Sequence, residues 1–312
     1  MKPELRRAAE ILRAGGLVAF PTETVYGLGA DASNAKAVAR LYAVKGRPAD
    51  HPVIVHFHSM ERAFAWARDI PADARRLAER FWPGPLTLIL KRSGKAGDFV
   101  TGGQDSVGLR VPSHPVARAL LEAFGDGVAA PSANRFGLVS PTTAAHVRED
   151  LGADVDLVLE GGPSEVGIEY TIVDLSGGKA VLLRPGAVSA QDLETILPGL
   201  EQRAASSLRH SGGLERHYAP RTPARLVPAL ALDGEIEKLK TRVAVLAFSR
   251  PDERVDYWLR MPREPAAYAH KLYAALRELD GAGCERILIE APPQAAEWAA
   301  VRDRLQKACA GA

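Results

Sequence analysis

Short apolar runs, each abutting a polar loop that carries Gly or Pro, are what most constrains the fold of this chain. LVAF (17–20), VIVHF (53–57), LTLIL (86–90), SVGLRV (106–111), GVAA (127–130), DLVLEG (156–161), YTIVDL (170–175) and AVLLR (180–184) have the length and composition of buried strands. Helical periods fall between several of them. Leu5, Ala8, Ala9, Ile11 and Leu12 share a face near the start, closed by Gly15 and Gly16. Val38, Leu41 and Tyr42 mark a helix from Asn34 to Val44, and further helices are predicted over 71–81, 115–124 and 142–150. This is an α/β pattern, and the close spacing of the last three runs predicts a twisted mixed sheet with helices rather than a purely parallel, doubly wound one.

From Pro198 to Pro223 the pattern gives way to PGLEQRAASSLRHSGGLERHYAPRTP, a linker composition rich in Ser, Gly and Pro. Beyond it, RVAVLAF (242–248), a helix over 266–283, RILIE (286–290) and a helix over 295–308 form a strand-helix-strand-helix series. That series predicts a small Rossmann-like α/β domain, one without the G-x-G-x-x-G fingerprint of a dinucleotide site. The expected division is therefore 1–200, a linker over 201–223, and 224–312.

Of the 312 residues, 46% are hydrophobic and 25% charged, and the formal charge of +2 singles out neither nucleic acid nor membrane as a partner. Cys284 and Cys309 have neither zinc-site nor C-x-x-C spacing, which suits reduced thiols. With no signal-like N-terminus and no run near the ~20 apolar residues of a membrane span, a cytoplasmic location is expected.

Walker A, G-x-S-x-G and H-E-x-x-H motifs are all missing. The chemistry must sit instead in loops beside the strands: PTETVYGLG (21–29), KGRP (45–48), GLRVPSHP (108–115), APSANRFGLVSPTT (130–143), EYTIVD (169–174) and LLRPGAVS (183–189). Polar groups at strand ends converge on one crevice in α/β sheets. Lys45 and Arg47 supply fixed positive charge, and Ser132 and Asn134 supply neutral donors, a combination suited to a polyanion. The same residue types also make turns, caps and solvated helix ends, and composition does not choose between these readings.

Order and spacing add a further observation. PTETVYGLGADA, KGRP-x-x-HP, WPGPLTLIL, GLRVP, APSAN followed by SPT, TIVD and LLRPG resemble the YrdC-like domain of threonylcarbamoyl-AMP synthases over about residues 5–195. RHYAP (216–220) and the second α/β domain resemble the longer, two-domain form of that family. The resemblance implies an enzyme that condenses L-threonine, bicarbonate and ATP into threonylcarbamoyl-AMP and pyrophosphate. A separate transferase then uses the product on tRNA, and direct contact of this chain with tRNA stays open.

By that resemblance, Lys45 and Arg47 are the catalytic cations, and Lys45, Arg47, Ser132 and Asn134 cradle the phosphates. It further implies ATP contacts at His51, Ser106, Ser140 and Arg184, and a linker that carries His217 and Tyr218 across the active-site opening. Threonine falls to Thr24, Tyr26, His56, Arg110, Ala130 and Tyr170, with Arg110 expected to grip the carboxylate with two prongs. Magnesium is expected to travel with the ATP phosphates, and no protein metal site is expected despite His51, His56 and His58. The family reads E-S-T-I-V-D where this chain has EYTIVD, so Tyr170 replaces a small hydroxyl residue and keeps a different amine substrate in view.

Other readings accompany these. Trp82 and the stripe Tyr268, Leu272 and Tyr273 are expected in cores, Glu23 and Asp174 in capping or sheet-end roles, and Tyr218 equally as a staple onto the first domain. A double-stranded RNA or tRNA-binding module is the rival function, opposed by 6% aromatic residues and the near-zero net charge.

Overall fold

A computed structural model describes residues 2–202 and 208–311. Residues 203–207 of the expected linker lie outside the described residues. The chain divides into two compact units, one of residues 1–136 with 141–213, the other of residues 137–140 with 214–312. Among the described residues no helix is long and apolar enough to cross a membrane.

The first unit contains strands β1 (Val18–Phe20), β2 (Gly27–Asp31), β3 (Val55–His56), β4 (Leu86–Lys91), β5 (Ser106–Arg110), β6 (Val128–Ala129), β7 (Leu157–Val158), β8 (Thr171–Asp174), β9 (Val181–Arg184) and β10 (Glu201–Gln202). They form one sheet in the order β10-β9-β8-β4-β5-β3-β6-β2-β1-β7. Parallel pairs (β3 with β5, β4 with β8) alternate with antiparallel ones (β4 with β5, β8 with β9), which makes it the mixed sheet that the strand spacing predicts. The helices are α1 (Pro3–Arg13), α2 (Ala35–Lys45), α3 (Met60–Phe64), α4 (Ala72–Phe81), α5 (Asp98–Thr101), α6 (Pro115–Phe124), α7 (Ala144–Leu151) and α8 (Ala190–Glu194).

Strand β1 shows why the apolar runs are continuous. Leu17 and Ala19 enter one core with Leu28, Val38, Leu41 and Leu109, while Val18 and Phe20 enter another with Leu5, Ala8, Leu12 and Leu120. Alternate side chains thus serve opposite faces, and both faces are covered. Truncating Leu12, which is fully buried, costs about 2–5 kcal/mol at a site of this kind.

The loop expected after LVAF is in part a strand. Gly27 and Gly29 give GLGAD the look of a turn, yet it pairs antiparallel with both β1 and β6. A Cβ on Gly29 would come 2.9 Å from the Phe20 ring and 2.9 Å from Val128, so this glycine clears space for its neighbours. The runs at 53–57, 127–130 and 156–161 keep only two ladder residues each, Val55–His56, Val128–Ala129 and Leu157–Val158. Their remaining residues take loop partners, as when Val53 N–H donates to the Val100 carbonyl at 3.0 Å. Trp82 is buried, with Nε1 donating to the Leu86 carbonyl at 2.7 Å.

In the second unit β11 (Ala224–Val227), β12 (Val243–Ala247), β13 (Tyr257–Arg260) and β14 (Arg286–Glu290) form an all-parallel sheet in the order β11-β14-β12-β13. Helices α9 (Leu232–Lys238), α10 (Pro265–Asp280) and α11 (Ala299–Cys309) complete the Rossmann-like layer. Tyr268, Leu272 and Tyr273 of α10 are buried as their spacing predicts. Strands β11 and β13 escape the sequence reading because ARLV and YWLR are only four residues long and each includes an arginine.

Candidate active site

Helix α2 delivers the first functional group. Asn34 caps its start by accepting from the Lys36 and Ala37 amides, and Gly46 at φ +64° ends it directly after Lys45. The turn leaves Lys45 buried, and its Nζ donates to the carbonyls of Ser132 and Asn134, each at 2.6 Å. The Lys45 carbonyl in turn accepts from the Phe136 amide at 2.8 Å. KGRP and APSAN, distant in sequence, thus meet through one lysine. The loop also hangs on β2 and its approach: Leu28 N–H donates to the Pro131 carbonyl, and Ala133 N–H to the Tyr26 carbonyl, both at 2.8 Å.

Two of the three N–H bonds of the Lys45 ammonium are used, and among the described residues it has no ion pair. Burial, with Arg47 next in effect, holds its pKa well below the ordinary lysine range. Arg47 lies alongside, donating to the carbonyls of His51 at 3.3 Å and Pro52 at 2.7 Å, with its guanidinium over the Phe136 ring at 5.4 Å. The His51 carbonyl also accepts from the Tyr42 hydroxyl at 2.8 Å, and its imidazole stands edge-on to Phe136. Burial and the Arg47 charge lower the His51 pKa, which favours the neutral ring.

A second cluster forms where β3, β5 and β8 begin or end. Arg110, 1% exposed at the end of β5, uses both N–H bonds of Nη2, one on Glu23 Oε1 at 2.7 Å and one on Thr24 Oγ1 at 3.0 Å. Glu23 Oε2 accepts from the Ser113 amide at 3.1 Å. The two-pronged carboxylate grip expected of Arg110 is therefore not open in this arrangement; Nη1 makes no hydrogen bond among the described residues and is the edge left for a ligand. Glu23 is the residue that sequence reasoning left without a site role. Its place in PTETVYG was visible, but its partner, far along the chain, was not.

Tyr170 joins this cluster. The Arg110 guanidinium lies 4.3 Å, and that of Arg184 4.5 Å, from the centre of its ring, and the His56 ring meets it edge-on at 6.3 Å. Arg184 Nε and Nη2 donate to the Tyr170 carbonyl at 3.1 and 3.0 Å, and Nη1 donates to the Ser211 carbonyl at 3.0 Å. Thr24 Oγ1 shares a hydrogen bond with Thr22 Oγ1 at 2.9 Å. His56 is buried, Nδ1 has no partner among the described residues, and burial holds its pKa well below 6.5. Ala130 is buried, with its amide on the Ile54 carbonyl at 3.0 Å.

Three further expected site residues have these places in what is described. The Tyr26 hydroxyl donates to the Gly162 carbonyl at 2.8 Å and accepts from the Gly161 amide at 3.2 Å, bracing that turn. Ser106 is buried at the first position of β5, opposite Lys91. Ser140 belongs to residues 137–140, which group with the second unit.

The linker divides at Gly213. Residues 208–213 belong to the first unit: Leu208 packs on Ile54, Ile89 and Tyr170, and Arg209 donates to the carbonyls of Asp50 at 2.9 Å and Gly102 at 2.7 Å. Gln104 closes both sides of Arg209, accepting from its amide and donating to its carbonyl, each at 2.9 Å. The sequence reading had singled out His217 and Tyr218 instead. Tyr218, at φ +60°, stacks on Tyr273 at 5.9 Å beneath Arg304 at 5.4 Å, and the His217 amide donates to the Lys307 carbonyl at 3.2 Å. These contacts tie Tyr218 to α10 and α11 of the second unit. Among the described residues, no group of three or more His, Cys, Asp or Glu side chains is placed to hold a metal ion.

On the loops of one mixed α/β sheet the first unit thus carries a buried lysine with two carbonyl partners and, among the described residues, no ion pair, and a buried arginine paired with Glu23. Residues 10–186 match the model of the family described as "Telomere recombination", which groups Sua5, YciO and YrdC, and residues 188–310 match "Threonylcarbamoyl-AMP synthase, C-terminal domain". Threonylcarbamoyl-AMP synthase of Pyrococcus abyssi is 39% identical over 98% of this chain and 94% of that protein, and the Bacillus subtilis protein of that name is 37% identical over 99% and 94%. The crystal structure of P. abyssi Sua5 complexed with L-threonine superposes with a TM-score of 0.92 at 36% identity, covering 98% of this chain and 94% of that one. The chain belongs to the two-domain threonylcarbamoyl-AMP synthase family.

Proposed function

We propose that the first unit condenses L-threonine, bicarbonate and ATP into threonylcarbamoyl-AMP, releasing pyrophosphate and water. The observation that carries this reading is Lys45, buried, without an ion pair among the described residues and held by two carbonyls of the APSAN loop. Its third N–H and the neighbouring Arg47 guanidinium are charge-assisted donors for phosphate oxygens, with Ser132, Asn134 and His51 lining the same loops. An arriving phosphate favours the ammonium that burial disfavours, so the nucleotide and the proton of its counter-charge are taken up together.

The amino acid binds in the second cluster, its carboxylate on the Nη1 edge of Arg110 and its body among Thr24, His56, Ala130 and Tyr170. The threonine amine and bicarbonate give a carbamate with loss of water. A carbamate oxygen then forms a bond to the α-phosphorus as the bond to pyrophosphate breaks. Alignment and charge neutralisation suffice, and no covalent enzyme intermediate is required. Magnesium bound to the ATP phosphates would supply further charge neutralisation there. We assign the reaction to the cytoplasm, where the product is consumed by a transferase acting on tRNA.

The test is incubation of the full chain with ATP, magnesium, bicarbonate and each amino acid in turn, measuring pyrophosphate and the mass of the adenylate. A threonine-dependent adenylate is expected. Its absence sinks the reading, and a larger product with another amino acid assigns the site to that amine.

A further inference from the structure

Glu23 is buried, and both of its carboxylate oxygens have partners. Oε1 accepts from Arg110 Nη2 at 2.7 Å, and Oε2 accepts from the Ser113 amide at 3.1 Å. Its backbone is fixed as well. The Glu23 carbonyl accepts from the Val166 amide at 2.8 Å, and Thr22 Oγ1 closes the turn around it by accepting from the Thr24 and Val25 amides, each at 3.2 Å. The carboxylate is therefore a negative charge at a set place beside the Arg110 guanidinium.

The other close neighbours of Arg110 carry no charge. His56, its partner in register across β3 and β5, is held neutral by burial first and by the Arg110 charge next. Thr24, the second acceptor from Nη2, is a hydroxyl, and Nε has only a long bond to the Gly84 carbonyl at 3.4 Å. An anion that reaches the Nη1 edge thus meets an arginine whose charge Glu23 already balances. A ligand with a negative charge alone leaves that charge uncompensated in a buried site. A ligand that brings its own positive charge does not.

Resting on the site reading above, we propose that Glu23 is a specificity-determining residue whose carboxylate makes the amino-acid cluster select zwitterions and reject carboxylic acids that lack the ammonium group. The group selected is the one that the reaction needs, since the amine becomes the carbamate. Acids of nearly the same shape, able to fill the site without reacting, are turned away by charge. Arg184, the other cation near Tyr170, is common to parent and variant, so a change at Glu23 isolates this effect.

The experiment is calorimetric binding of two ligands to the full chain, for the parent and Glu23→Gln, with unfolding transitions recorded for both. The ligands are L-threonine and the 2,3-dihydroxybutanoate that has a hydroxyl in place of its ammonium group. Gln keeps an acceptor for Arg110 and loses the charge; Glu23→Thr replaces it should that chain not fold. The parent is expected to bind threonine at least about tenfold more tightly than the hydroxy acid. The variant should narrow that ratio about tenfold, by binding the hydroxy acid more tightly than the parent does. Damage to the fold weakens ligands; it does not strengthen one of them.

A parent that binds both ligands equally overturns the proposal, as does a variant that weakens both in proportion, which reduces Glu23 to a structural partner of Arg110. Pyrophosphate release by the parent, measured alongside, separates the two readings. A charge-dependent preference in a chain that makes no threonine-dependent adenylate removes the reaction and keeps the role of Glu23. Turnover without the preference removes that role and keeps the reaction, and a parent that binds no threonine removes both.

Discussion

The two cationic clusters of the first unit handle buried charge in opposite ways. Arg110 is neutralised by Glu23 in an ion pair whose side chains are 1% and 4% exposed, whereas Lys45, among the described residues, hydrogen-bonds to two carbonyls and makes no ion pair. A neutral pair can accept a zwitterion such as an amino acid without leaving net charge in a low-dielectric pocket. A buried ammonium whose hydrogen bonds go to carbonyls, with a second cation next to it, is costly until an anion arrives, which suits a polyphosphate.

Removing Glu23 should break the comparison most forcefully. Glu23→Ala leaves the Arg110 charge buried and unpaired, and the expected loss is about 3–5 kcal/mol in chemical denaturation. A loss under 1 kcal/mol would mean that the pair is not what balances this cluster. Next in size, Lys45→Met is expected to keep the fold and lower pyrophosphate release about 100- to 1,000-fold, the effect of deleting a preorganised donor to developing charge. Parental turnover would return Lys45 to the role of a loop clamp.

Lys45 also sharpens the contrast through protons. Its pKa is lowered in the free site, and phosphate raises it again, so nucleotide binding should take up a proton and weaken as pH rises. Calorimetry in buffers of different ionisation enthalpy measures that uptake, which Lys45→Met should abolish.

In the other cluster His56 is held neutral by burial, below its ordinary 6.5. The unfolded chain therefore binds the extra proton, and stability should fall as pH drops from about 6.5 toward the folded pKa, at up to ~1.4 kcal/mol per pH unit. His56→Asn should flatten that acid limb in denaturation curves; an unchanged slope would assign it to other groups. The smallest effect is expected at the exposed strap. Arg209→Ala removes two side-chain bonds to carbonyls, each contributing about 0.5–1.5 kcal/mol, and should speed hydrogen exchange over 208–213 by about tenfold.

Much of this was legible in the chain itself. Continuous apolar runs foretold strands covered on both faces, and the loops beside them held Lys45, Arg47, Arg110 and Arg184, which the structure gathers into two clusters of one unit. The misses share a cause. GLGAD read as a turn because the need for glycine there comes from Phe20 and Val128, and Glu23 had no visible role because its partner stands far along the chain at Arg110.

By itself, then, the sequence determined the fold class, the strand and helix inventory at the level of long apolar periods, and which residue types were available for anion chemistry. Those properties are local: a run of β-branched residues, or a lysine at a helix end, is written in adjacent positions. The tertiary structure alone decided which charges are compensated, that Arg110 offers one edge rather than two, and that Tyr170 lies beneath two guanidiniums. Burial and pairing depend on neighbours remote in the chain, and the energy of a buried charge is set by those neighbours.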